Sequence, residues 1–140
     1  MVYLFPTDGS SHSSHAEEAL PSLLQPGRDS LRILTVINED PHPLAKPDTK
    51  ADYETELIEW AKELTSKTVD RLDRKGFVVS SDIEPGDPGP KICSVADAIN
   101  ADGIIMGRRG RGAASEMLLG SVSRYVTHHA NCPVTVVPPD

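Results

Sequence analysis

Short apolar runs alternating with helix-patterned stretches constrain this sequence more than any other feature. Val2-Tyr3-Leu4-Phe5, Leu31–Ile37, Phe77–Glu84, Gly103–Met106 and Pro133–Val137 are each too short for a stable helix and read as strands. Between successive runs lies a segment whose apolar residues recur at helical spacing. A chain built this way forms a parallel sheet joined by right-handed crossover helices. The expected fold is therefore α/β, an open five-stranded parallel sheet with helices on both faces, and a single domain over residues 1–140.

Pro6-Thr7-Asp8-Gly9-Ser10-Ser11 ends the first strand in a polar turn with several candidate N-caps. Ala16, Ala19, Leu20, Leu23 and Leu24 then predict a helix from His15, stopped by Pro26-Gly27. Asn38 to Lys50, with prolines at 41, 43 and 47, carries no pattern and reads as a long loop. A long helix follows over Asp52–Lys75, with Leu57, Ile58, Ala61, Leu64, Thr68, Val69 and Leu72 as its inner stripe, Trp60 as a packing residue and Gly76 as its stop. The third strand is the most polar and is expected near a sheet edge. Pro85-Gly86-Asp87-Pro88-Gly89-Pro90 ends it. Ile92, Val95, Ala96 and Ile99 mark a short helix, and Leu118–His129 carries the last one, with Val122, Val126 and Ala130 inward.

A net charge of -7 argues against nucleic acid as a partner, because a polyanion would meet an acidic surface. No apolar run approaches the roughly 18 residues needed to span a bilayer, and no signal-peptide pattern opens the sequence, so a cytoplasmic location is expected. Cys93 and Cys132 lack metal spacing and read as two buried free thiols.

Against this acidic background one stretch stands out, from Asp102 to Arg124. It runs from a buried strand through Gly107, Gly110 and Gly112, interleaved with Arg108, Arg109 and Arg111, to Gly120-Ser121-Val122-Ser123 at a helix start. Glycines let backbone N–H groups approach an anion, and a helix start presents unpaired donors to it, so the stretch is expected to bind a nucleotide. On a doubly wound sheet, ligands sit outside the strand C-terminal ends. Pro6–Ser10, Val36–Asn38 and Gly107–Gly112 all follow strands and can converge there.

The spacing of Gly107, Gly110 and Gly120-Ser121 is Gly-x2-Gly-x9-Gly-Ser, and it resembles the signature of the universal stress protein family in its ATP-binding branch. Pro6-Thr7-Asp8-Gly9-Ser10, Thr35-Val36-Ile37 and Cys132–Val137 resemble that family's other landmarks, so the resemblance spans essentially the whole chain. It implies a Rossmann-like fold of the adenine nucleotide alpha hydrolase type and a site for ATP, ADP or AMP. Asp8 would lie beside the ribose, with Pro6 and Thr7 shaping the adenine side. Val36 and Met106 would line the same pocket. Gly107, Arg109 and Gly110 would follow the ribose and phosphates. Gly120, Ser121, Val122 and Ser123 would supply N–H and hydroxyl donors to the phosphates. Magnesium would enter with the phosphates. The resemblance also implies a homodimer, paired through the last strand at Val134–Val137.

No residue has an evident reason to activate water, so slow ATP hydrolysis at most is expected of a nucleotide-responsive stress or regulatory module. Two alternatives stand beside this reading. His12-Ser13-Ser14-His15 resembles the His-x-Gly-His element of nucleotidyltransferases, with Ser14 where that element has glycine, which would make His12 and His15 transferase residues. In the other alternative the glycines serve only tight turns, and the chain is a dimerisation module that binds no nucleotide.

Overall fold

The computed structural model describes residues 1–38, 50–108 and 120–138, with the backbone alone for residues 50–53. The elements are β1 (Val2–Pro6), α1 (Ser11–Leu23), β2 (Ser30–Ile37), α2 (Lys50–Arg74), β3 (Val78–Pro85), α3 (Pro88–Ala98), β4 (Gly103–Gly107), α4 (Ser121–His129) and β5 (Val134–Val137). The five strands form one parallel sheet in the order β3-β2-β1-β4-β5. The α/β alternation expected from the sequence is the fold observed.

Side chains alternate across the sheet and divide the core in two. Phe5, Leu31, Ile33 and Ile105 pack with Ala16 and Leu20 of α1 and Leu72 of α2 on one face. Leu4, Leu34, Ile104 and Met106 pack with Ile92 and Ala96 of α3 and Val126 of α4 on the other. All five residues of β4 are buried, which is why its sequence is a continuous apolar run. β3 is an edge strand, as its polarity suggested, and Val78 is 71% exposed. Its Asp82 meets Arg32 of β2 at 2.6 Å across the ladder.

Three helices differ from their expected outlines. α1 begins at Ser11 rather than His15, because Ser10 caps it: the Ser10 hydroxyl accepts from the Ser13 N–H at 3.2 Å. α3 begins at Pro88, inside the stretch read as a breaker, since proline fits the first helical position, where no N–H is needed. In α2 the inner positions are Ala61, Thr65, Thr68 and Leu72, while Ile58 is 41% exposed and does not belong to the stripe. Thr65 was invisible as a core residue because its hydroxyl is satisfied by Thr35 at 2.9 Å and by the Ala61 carbonyl at 2.6 Å. Within the described residues the last helix starts at Ser121, and residues 118 and 119 lie outside them.

Candidate functional site

In this strand order the chain leaves β1 toward β2 on one side and returns at β4 on the other, so β1 and β4 flank the topological switch point. A cleft of about 110 Å³ opens there, above the strand C-terminal ends. Its walls come from three sources. Pro6, Thr7 and Asp8 arrive from β1 and its loop, Leu34 and Val36 from β2, and Met106 and Gly107 from β4. The starts of α1, α3 and α4 close it with Ser13, with Pro88 and, one turn on, Ile92, and with Val122 and Ser123. Three helix starts therefore turn their positive dipole ends toward one cavity, although in α3 Pro88 and Pro90 have no N–H and in α1 the Ser13 N–H is held by the Ser10 hydroxyl.

The β1 side is held by hydroxyls. The Thr7 N–H donates to the Leu34 carbonyl at 2.9 Å and prolongs the ladder by one residue. Thr7 Oγ1 donates to Ser13 Oγ at 3.2 Å, and Ser13 Oγ donates to the Ser10 carbonyl at 3.0 Å. The Ser10 N–H donates to Asp8 Oδ1 at 2.9 Å, so the turn holds this half-buried carboxylate at the cleft.

The β4 side is held by backbone. The Arg108 N–H donates to the Val137 carbonyl at 3.2 Å. The Arg108 carbonyl accepts from the Gly120 N–H at 3.0 Å and from Ser123 Oγ at 2.6 Å. The end of β4 and the start of α4 are thereby joined directly. Gly120 occupies the N-cap of α4 with no side-chain capping bond, which leaves the N–H groups of Ser121, Val122 and Ser123 without acceptors inside the helix. Gly107 is glycine for a packing reason: a Cβ there would stand 2.6 Å from the His12 carbonyl oxygen of α1.

The structure thus brings together Pro6, Thr7, Asp8, Val36, Met106, Gly107, Val122 and Ser123. Gly120 and Ser121 stand beside them at the start of α4. Arg109 and Gly110 lie outside the described residues. One expected role changes. The Ser123 hydroxyl directs its proton at the Arg108 carbonyl, so it fixes the helix start rather than serving as a free donor to a ligand. Ser13, Leu34, Pro88 and Ile92 were missed as lining residues, and the apolar position one turn into α3 was the available signal for Ile92.

Other candidates fare differently. His12 and His15 are half-buried in the first two turns of α1. Among the described residues, no group of His, Cys, Asp and Glu is arranged to hold a metal ion. Cys93 and Cys132 are free and half-buried, with both thiols pushed up by burial and then by the Asp97 carboxylate. A larger surface hollow of about 430 Å³ lies between α2 and the ends of β2 and β3, away from the switch point. Its volume is greater, but among the described residues Glu54 and Lys62 are the charged groups of an otherwise apolar lining, and no cluster of hydroxyls and helix starts converges on it.

The sequence model of the Universal stress protein family matches residues 3–138. The chain belongs to that family. It is 31% identical to the Universal stress protein Sll1654 of Synechocystis sp., covering 96% of this chain and 83% of that one. It spans about half the length of two other Synechocystis universal stress proteins, 53% of Sll1388 and 49% of Slr1101. The solved structure of MJ0577, from Methanocaldococcus jannaschii, is 29% identical and superposes with a TM-score of 0.89 over 99% of this chain and 96% of that one. The universal stress family protein At3g01520 of Arabidopsis thaliana was solved with AMP bound. It is 20% identical, with a TM-score of 0.76 over 99% of this chain and 92% of that one, a likeness of fold. Among the described residues, no helix is long and apolar enough to cross a membrane.

Proposed function

We propose that this universal stress protein binds an adenine nucleotide in the switch-point cleft and acts as a nucleotide-responsive stress or regulatory module. The observation that carries the reading is the convergence of the α4 start, the Asp8 turn and an apolar slot on one cleft. Leu34, Val36, Ile92 and Met106 offer flat contact to a base. The Asp8 carboxylate can accept from ribose hydroxyls. The N–H groups of Ser121, Val122 and Ser123 suit phosphate, and the family resemblance implies the same role for Arg109 and Gly110. Membership of the family supports the reading, and AMP in a fold neighbour agrees with it.

Magnesium would arrive on the phosphates, since the described residues offer no carboxylate cluster of their own for it. Phosphoryl transfer depends mostly on positioning and charge, so a bound triphosphate would hydrolyse slowly at most here. β5 is an edge strand with half-buried Val134 and Val136, and we assign it the homodimer contact. A cytoplasmic site of action fits the two free thiols.

The test is the nucleotide content of the purified protein by mass spectrometry. It is followed by equilibrium titration of ATP, ADP and AMP, with magnesium, against wild type and a Gly110→Val/Gly120→Val double variant. Saturable binding that the double variant loses is expected. Absence of saturable binding up to millimolar nucleotide would return the chain to the dimerisation reading. Release of pyrophosphate that depends on His15 would favour a transferase instead.

A further inference from the structure

α3 and α4 pack side by side on one face of the sheet, and each presents its first turn to the cleft. Where they meet, Gly89 faces Tyr125 without room for a methyl group. A Cβ on Gly89 would stand 2.8 Å from both Cγ and Cδ1 of Tyr125 and 3.1 Å from its Cβ. These atoms lie at the root of the side chain, so turning the ring leaves the Cβ contact in place. The ring is also stacked on His129, with centroids 4.0 Å apart and planes 15° from parallel. Gly89 occupies the second position of α3, where glycine is a poorer helix former than alanine. The close approach of Tyr125 accounts for its presence.

We propose that the Gly89–Tyr125 contact is a positioning device that sets the separation of the α3 and α4 first turns. Pro88 and Ile92 of α3 and Val122 and Ser123 of α4 all line the cleft, so this separation sets how far apart two of its walls stand. The proposal rests on the nucleotide reading for its ligand and on packing geometry for the spacing. Neither residue lines the cleft, and both act through the turns they hold apart.

The test compares Gly89→Ala, Tyr125→Ala and the double variant in the full chain. ATP and adenosine are titrated by calorimetry, and amide spectra are recorded on the same samples. Alanine is the better helix former, so without a conflict at Tyr125 the Gly89→Ala change would leave binding intact. Overpacking is expected instead to weaken both ligands about tenfold. It should also move the amide resonances of Ile92 and Val122. The double variant should return to within about twofold of Tyr125→Ala, because the two sites are coupled by contact. Wild-type affinity in Gly89→Ala, or a double variant as weak as Gly89→Ala, would overturn the proposal. If wild type binds neither ligand, the nucleotide reading falls and the amide spectra decide the spacing alone. Shifts at Ile92 and Val122 that the second substitution reverses would support it, and shifts confined to the chain neighbours of residue 89 would overturn it.

Discussion

The Ser123 hydroxyl lies 2.6 Å from the Arg108 carbonyl oxygen and donates to it, tying the first turn of α4 to the end of β4. Ser123 is 1% exposed, so the bond is made away from water. Ser123→Ala would remove it while the Gly120 N–H still satisfies the carbonyl in part. The expected loss is about 1 kcal/mol of stability. Nucleotide affinity should fall by a few fold through a less fixed helix start. Urea melts and a nucleotide titration of the same variant check both, and unchanged values in each would show that the bond fixes nothing.

Gly107 and His12 make a tighter demand. With the His12 carbonyl oxygen 2.6 Å from where a Cβ would stand, Gly107→Ala must displace the first turn of α1 or the end of β4. Backbone lies on both sides, so no side chain can move aside. A destabilisation of about 1–3 kcal/mol is expected. It should appear as a lower urea midpoint with an unchanged slope, and a midpoint equal to wild type would count against the packing described.

A pH effect is expected at the α1–β2 turn. The Asp29 carboxyl is held below its ordinary value, first by the Arg28 guanidinium, which hydrogen-bonds it at 2.8 Å, and then by the Gln25 N–H at 2.9 Å. A carboxylate depressed in the folded state contributes stability above its unfolded pKa and loses it as pH falls through the folded value. Thermal melts of wild type and Asp29→Asn should therefore differ most near neutral pH and converge in strong acid. Equal spacing of the two curves at every pH would contradict the assignment.

Cys93 and Cys132 should be sluggish thiols. Burial raises both, and the Asp97 carboxylate raises them further, so little thiolate exists at neutral pH. Alkylation by iodoacetamide at pH 7.5 is expected to be slower than for a cysteine in an unfolded peptide and to accelerate on alkaline titration. Labelling at the peptide rate would show that the two sites are open.

The strands were legible because burial on both faces writes itself as continuous apolar sequence: β4 reads Gly-Ile-Ile-Met-Gly and is buried throughout. Helix beginnings were less so. Ser10 to Ser14 carries no apolar residue, yet it forms the cap and first turn of α1, and Ser13 is buried by hydrogen bonding. Prolines at 88 and 90 looked like a stop and stand at a start. Motif spacing gave the β1, β2 and β4 walls of the cleft. It gave neither Pro88 nor Ile92, because their arrival depends on how α3 crosses the sheet, and strand order is a matter of tertiary packing. Val36 and Met106 came from the family resemblance, and both sit near strand ends, where topology converges whatever the helices do.

The two borders of the sheet are chemically unequal. β3 ends the sheet on one side with Ser80, Ser81, Asp82, Glu84 and Pro85, and a proline cannot donate to an incoming strand. β5 ends it on the other with Val134, Thr135, Val136 and Val137. Growth by strand addition thus has one usable border per molecule. When two such borders meet about a two-fold axis both are consumed, and nothing is left for a third copy to extend. In the proposed dimer the polarity of β3 would act as a terminator, making association through this sheet a closed event instead of the first step of a fibre.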